Sequence, residues 1–320
     1  MEYRIYYGII NKNIDVTDDC NKKCIHNDVL YITNDQYQRD QLFTDPAVGH
    51  DKFIFIHINN NIRVFNNTHQ VFLDISNKKS IAYNDLDVPY NIRRRIIMPC
   101  LKWIQSKLNI DHGTFMEEDV EQKLAVSYIT GNEKILEIGG NIGRVAMIIS
   151  YILNMHNNTN FVSMECNTEI AEQLKENRNN NNLNFQVETS ALSKRNLIHY
   201  GWSNVESDVL LPPLDGISYQ EVTNIAFEEL QNKYNIEFDT LIIDCEEAFY
   251  TILQDFPTML TNINLIIMEN DYLEKYKKDY VDKILYENNF QVTYSESGGW
   301  PKELNRFPCY DMFYEVWKRK

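Results

Sequence analysis

The chain has 320 residues, 43% hydrophobic and 24% charged, which fits a globular protein with room for one large domain or two ordinary ones and excludes a disordered chain. Its 31 basic and 46 acidic residues leave a formal net charge of -15, a field that repels phosphate backbones and argues against duplex nucleic acid as the main partner. No run approaches 18 apolar residues and the opening Met-Glu-Tyr-Arg has no charged-then-apolar leader, so no membrane partner and no export by a signal peptide are expected, and a cytoplasmic location is.

Residues 1–84 read as a small β-rich accessory domain. The runs 2–10, 28–33, 53–58, 62–65 and 70–76 are rich in Ile, Val, Phe and Tyr and are separated by Asn/Asp clusters, with no competing helical period. Asn59-Asn60-Asn61 suits a hairpin loop, because Asn tolerates positive φ. A helical connection is predicted over 85–130. Pro89 can open its first helix, Ile92, Ile96, Ile97, Leu101, Ile104 and Leu108 recur at three and four, and Pro99 kinks or divides it. A second helix over about 117–129 opens on Glu117-Glu118-Asp119, which suits the helix dipole. The basic triplet Arg93-Arg94-Arg95 and the tail Lys318-Arg319-Lys320 read as a solvated helix face and a chain end. Cys20 and Cys24 lack a second pair at zinc-ligand spacing, while Cys166 and Cys245 fall in apolar runs, so all six cysteines are expected as reduced thiols.

From 131 to 320 strand and helix patterns alternate. The strands are KILEIGG, NFVSMEC, NFQVETSAL, DTLIIDC, NLIIMEN, FQVTYSE and DMFYEVWK, and between the last two no helix intervenes. Continuous apolar strand runs joined by helices predict a parallel sheet covered on both faces, with the final strand entering antiparallel. The expected fold is therefore α/β, a Rossmann-like sheet of seven strands preceded by a small β domain.

Candidate site residues gather where these strands end. Glu137 closes the first strand before the turn Gly139-Gly140-Asn141-Ile142-Gly143, whose glycines let a ligand approach the backbone and whose following helix offers free N–H groups. Glu137 there can meet a cationic or amino group. Glu165 ends the second strand, where an acid can bind both ribose hydroxyls. Ser190 and Ala191 follow the third strand, where an adenine would lie. Asp244, Glu246 and Glu247 crowd the fourth strand's end, and Glu269 and Asp271 the fifth's. Crowded acids serve as bases or hold a cation, although some simply start the next helix.

The set LEIGGNIGRVA, SMEC, ETSALSK, LIIDCEEAFYTIL and LIIMEND resembles the FkbM-type class I methyltransferases dependent on S-adenosylmethionine (SAM), over roughly residues 115–320. That family's D-x-G-A-N-x-G is matched by Glu137, Gly139, Asn141 and Gly143, and its I-D-x-E-G-x-E by Ile243, Asp244 and Glu246. Glu247 stands where the family has glycine and Phe249 where it has the last acid. The Asn-, Ile- and Tyr-rich style, with a β domain in front, also resembles proteins encoded by giant DNA viruses, which would make the location host cytoplasm. The family resemblance implies SAM as cofactor and O-methylation of a sugar, nucleotide sugar, glycan or other small hydroxylated molecule.

The sulfonium methyl is already electrophilic, so the protein must align an acceptor oxygen with it and take up the acceptor's proton. Asp244 is the first candidate base, with Glu246 and Asp271 next; the same three are the ligands if Mg²⁺ takes part. His112 and His199 are further possible bases. Gly298-Gly299-Trp300 suits either a loop closing over a sugar or a plain hairpin. G-G-N-I-G is not the G-x-G-x-x-G of a dinucleotide-dependent oxidoreductase, and Leu211-Pro212-Pro213-Leu214 is not the turn of base-methylating enzymes. A fold kept for binding without catalysis is the alternative that Glu247 and Phe249 leave open. The N-terminal domain is open to glycan binding, homodimer formation or a buttressing role.

Overall fold

The computed structural model describes residues 3–58, 61–75, 79–83, 93, 95–200, 203–206 and 220–320. They fall into two compact units, Met1–Trp103 and Ile104–Lys320.

The first unit holds two four-stranded antiparallel sheets. One runs in the order Lys12–Asp15, Tyr3–Ile9, Phe53–Ile58, Asn61–Phe65, and the other Ile25–His26, Val29–Ile32, Gln70–Asp74, Lys79–Tyr83. Alternation along the strands turns Ile5, Tyr7, Ile54, Ile56, Leu30, Ile32, Val71 and Leu73 into one buried cluster. Two helices, Thr17–Lys23 and Gln36–Phe43, occupy stretches where the sequence shows no helical period. Both are short and polar, each burying one apolar side chain, Cys20 or Phe43, in the core. The first has Asp18 and Asp19 in its opening turn and Lys22 and Lys23 in its last, and the second is capped by Asp35, which accepts from the Gln38 N–H at 3.1 Å. Asn59 and Asn60 of the expected hairpin loop lie outside the described residues, as do residues 84–92 and 94.

Charge is buried in this unit to hold its loops. Arg39 is 0% exposed and donates to the carbonyls of Thr33 (2.6 Å), Asn66 (3.1 Å) and His69 (2.5 Å). Burial lowers its pKa to about 10, which still leaves it charged at neutral pH. Lys52, also buried, pairs with Asp40 at 3.3 Å and Asp45 at 3.0 Å, and the Tyr7 hydroxyl donates to Asp40 at 2.7 Å. Arg93 and Arg95 are not a solvated face: Arg93 is buried, and Arg95 pairs with Asp74 at 3.3 Å and donates to the Asn27 carbonyl at 2.9 Å. The helix of this region is Ile97–Gln105, which places Pro99 in the first turn, where its missing N–H costs nothing and no kink follows.

In the second unit the elements are α1 (Asp119–Tyr128), β1 (Ile135–Ile138), α2 (Arg144–Asn154), β2 (Phe161–Met164), α3 (Thr168–Asn180), β3 (Gln186–Glu188), α4 (Phe227–Tyr234), β4 (Thr240–Ile243), α5 (Ala248–Asp255), β5 (Leu265–Glu269), α6 (Lys275–Glu287), β6 (Phe290–Glu296) and β7 (Tyr314–Arg319). The sheet order is β3-β2-β1-β4-β5-β7-β6, with β1 to β5 parallel and β7 antiparallel to both its neighbours. This is the seven-stranded Rossmann-like sheet, its last strand antiparallel, that the alternating pattern predicts. Every residue of β1, β2 and β4 is buried, as sheets covered on both faces require, and nine residues of α2 are buried as well. Arg319 is no loose chain end: it donates to the carbonyls of Ile263 at 2.7 Å and Asn288 at 2.8 Å. Between β3 and α4, Ala191–Leu192 pairs with Asn224–Ile225, and Leu197–Tyr200 pairs with Ser203–Glu206 and Gln220–Glu221. Leu211 to Leu214 lie outside the described residues.

Register aligns the ends of four strands. Ile138 is level with Met164 on one side and Ile243 on the other, and Ile243 is level with Met268. The next residues, Gly139, Glu165, Asp244 and Glu269, therefore share one edge of the sheet, at the point where the strand order reverses.

Arg39→Ala strands three carbonyls in the N-terminal unit and should cost on the order of 3 kcal/mol, read as a lower urea midpoint. Arg39→Lys, which lacks the planar fork, should recover only part of it. An unchanged midpoint would show that the clamp does not hold these loops.

Candidate functional site

The turn after β1 fits only because Gly139 has no side chain. Its φ is +90°, and a Cβ there would fall 1.5 Å from the Asp244 carbonyl oxygen. The chain can therefore pass close to β4, with the Asp244 N–H on the Ile138 carbonyl at 3.0 Å and the Gly139 and Gly140 N–H groups on the Met164 carbonyl at 3.0 and 2.8 Å. Asn141 follows at φ +47°, which aims its N–H at Glu165 Oε2 (3.0 Å). The Asn167 N–H reaches Glu165 Oε1 at 2.8 Å. Burial raises the Glu165 pKa, while these two amides and His199 pull it back.

A cavity of about 140 Å³ opens along this edge. Gly139, Asn141, Glu165, Ser190, Ala191, Asp244 and Glu246, all singled out by sequence, line it. The Ser190 hydroxyl donates to Glu188 Oε1 at 2.7 Å, and Glu188 is itself held by Lys233 and Tyr234. Glu137 and Gly140 line a second, much smaller cavity of about 10 Å³, which shares Gly139 and Asp244 with the first. Gly143 lines neither; it packs against Leu174 at the start of α2. Asp271 lines neither cavity and lies against Glu246.

Carboxyl groups dominate the electrostatics. Burial raises Asp244 well above the usual carboxylate range, reinforced by Glu118, Glu121, Glu137 and Glu246. Burial, with Asp244 and Glu121 beside it, pushes Glu269 up to about 12. Asp271 is raised by burial and then by Glu246, and its Oδ1 is buried without a hydrogen-bond partner. Glu137 accepts from the Ser163 hydroxyl, yet burial and the nearby Glu118 and Glu165 push it up to about 8. Glu246 lines the cavity in a left-handed conformation, φ +53°, which a non-glycine residue adopts at a cost of about 1 kcal/mol or more.

Oxygen atoms of Glu121, Asp244 and Glu269 lie within 4.8 Å of one another, close enough for a single ion. This differs from the set read from sequence, Asp244, Glu246 and Asp271. Only Asp244 is common to both. Glu118 and Glu121 were missed as site residues because the acids near 117–121 read as a helix's first turn. Glu118 is instead the left-handed N-cap of α1 and accepts from Arg144 at 2.7 Å. Glu121 faces inward beside the buried Leu124 and Ala125. The legible signal was its spacing, three and four residues before those core positions.

Of the two candidate histidines, His199 lines the larger cavity, whereas His112 bonds to Glu176 at the surface. Cys166 and Cys245 follow the strand ends and line the same cavity, and Cys245 also packs against the hydrophobic core. The two departures from the family pattern fill structural places: Glu247 pairs with Lys277 and accepts from the Leu273 N–H at 2.8 Å, and Phe249 is buried in the core. Trp300 packs edge-on against Phe313 and Tyr310 of its own loop, at 4.9 and 5.2 Å. Among the described residues, no helix is long and apolar enough to cross a membrane.

No family model and no curated protein matches the sequence. Solved structures similar in fold include an O-methyltransferase from Bacillus cereus in complex with SAH, at 15% identity and a TM-score of 0.38, covering 73% of this chain and 94% of that one. A ribosomal protein L11 methylase from Lactobacillus delbrueckii subsp. bulgaricus matches at 13% identity and a TM-score of 0.37, covering 64% of this chain and 81% of that one.

Glu137 yields a pH prediction. Its folded pKa, about 8, exceeds the ordinary carboxyl value of 4.5, so the folded chain holds a proton that the unfolded chain releases. Its contribution is complete below about 4.5 and is lost as pH rises through about 8. In chelator, Glu137→Gln should flatten the fall in urea stability between pH 5 and pH 8 by a few kcal/mol at most, on the order expected for a shift of this size. An identical slope in the variant would contradict this.

Proposed function

We propose that this chain is an FkbM-type enzyme that binds SAM in the larger cavity and transfers its methyl group to a hydroxyl of a sugar, nucleotide sugar or glycan. The observation that carries the reading is Glu165. It is a nearly buried acid at the end of β2, fixed by the Asn141 and Asn167 amides and open to the cavity. An acid in that place, one strand from a glycine turn, binds the two ribose hydroxyls of an adenosine ligand. Ser190 and Ala191 then border the adenine, and the passage over Gly139 leaves room for the methionine portion. The acceptor class rests on the family resemblance of the motifs ending at Asp244 and Glu246.

SAM supplies the electrophilic methyl group. The acceptor oxygen forms a bond to that carbon as the carbon–sulfur bond breaks, and the hydroxyl proton passes to a carboxylate. Asp244 lines both cavities, and burial with the surrounding acids raises its pKa. Glu246 lines the larger cavity and is the base in this scheme, with the raised Asp271 behind it as a positioning partner.

Calorimetric titration with SAM and with its demethylated product should give micromolar binding, weakened at least tenfold by Glu165→Ala. Absence of binding by either ligand would overturn the reading. Binding without methyl transfer from labelled SAM to any sugar or glycan acceptor would leave a fold kept for binding.

A further inference from the structure

The smaller cavity calls for an occupant of its own. Its space, about 10 Å³, is that of one atom-sized guest. Five carboxyl groups border it: Glu118, Glu121, Glu137, Asp244 and Glu269. Two of them are engaged, Glu118 by Arg144 at 2.7 Å and Glu137 by the Ser163 hydroxyl. The other three converge within 4.8 Å, with Glu121 and Glu269 hydrogen-bonded to each other, and no lysine or arginine pairs with them among the described residues. Glu121 is only 7% exposed, lines this cavity, and has its Oε2 buried without a hydrogen-bond partner.

The space asks for a small guest, and the converging carboxyl oxygens ask for a positive one. A monatomic cation meets both demands, and oxygens on opposite sides of a hard divalent ion stand about 4.2–4.8 Å apart, at about 2.1–2.4 Å from the metal. We infer that Glu121 of α1, Asp244 after β4 and Glu269 at the end of β5 form a site for one hard divalent cation, of the Mg²⁺, Mn²⁺ or Ca²⁺ class. All-oxygen, all-carboxylate ligation selects such ions over soft ones. The site does not depend on the identity of the ligand in the larger cavity. It acts on that cavity through Asp244, which lines both: a bound cation neutralises Asp244 and fixes its carboxylate at the wall.

Mn²⁺ is the probe. Titrated into the full chain stripped with chelator, it should lose its free-ion electron paramagnetic resonance signal at one ion per chain, and it should raise the melting midpoint. Glu121→Gln should weaken that binding at least tenfold and abolish the melting shift, and Glu269→Gln should do the same. An undiminished Mn²⁺ signal with the unaltered chain would overturn the inference whatever the variants do. So would binding that both variants leave unchanged, which would place the ion elsewhere on this acidic surface. Because no methyl donor enters the experiment, its failure would say nothing against SAM binding, and failure of SAM titration would say nothing against the cation.

Discussion

The contact on which the C-terminal unit depends is the passage of Gly139 over the Asp244 carbonyl. Any side chain at 139 would lie 1.5 Å from that oxygen, so β1 and β4 could not run side by side to their ends. Because they do, the turn after β1 folds back with its amides on the Met164 carbonyl and leaves the Asn141 N–H directed at Glu165. One missing methyl thus sets the register of four strand ends, the direction of α2 and the orientation of an acid on β2. The larger cavity is the space that this register leaves open at the switch in strand order.

The second organising constraint is charge. The chain spends its buried cations on structural jobs: Arg39 on loop carbonyls, Lys52 on Asp40 and Asp45, Lys278 on Glu315, and Arg144 on Glu118. Lys277 likewise answers Glu247. Among the described residues no lysine or arginine pairs with Glu121, Asp244, Glu246, Glu269 or Asp271, which are left to share protons or to take a cation from solution. A group of crowded, largely buried acids is costly to keep, and such clusters gather where a ligand or a reaction needs them. The same concentration raises Asp244, the first candidate base in the sequence, through burial and its acidic neighbours.

The seven-stranded sheet was legible because strands covered on both faces read as unbroken apolar runs, as in Thr240–Ile243 and Leu265–Glu269. Residues that end such runs, Gly139, Glu165 and Asp244, were legible for the same reason, since position in the fold follows from position in the run. The helices Thr17–Lys23 and Gln36–Phe43 were not, because no apolar stripe marks them; the buried Arg39 of the second is fixed by carbonyls from distant loops. The grouping of acids was hidden too. Glu121 stands 123 residues from Asp244 and 148 from Glu269 in the sequence, as their numbers show, and only the packing of α1 brings it to the same cavity. Arg93 and Arg95 looked like surface charge because a run of three basic residues says nothing about the acids and carbonyls that meet it.

The central claim is that the larger cavity is an adenosine site organised by Glu165, and a crystal structure of the chain with S-adenosylhomocysteine tests it most directly. The account predicts both ribose hydroxyls within hydrogen-bond distance of the Glu165 carboxylate, the adenine beside Ser190 and Ala191, and the sulfur over Gly139 near Asp244 and Glu246. A ligand seated elsewhere, with Glu165 still bonded only to the Asn141 and Asn167 amides, would contradict it.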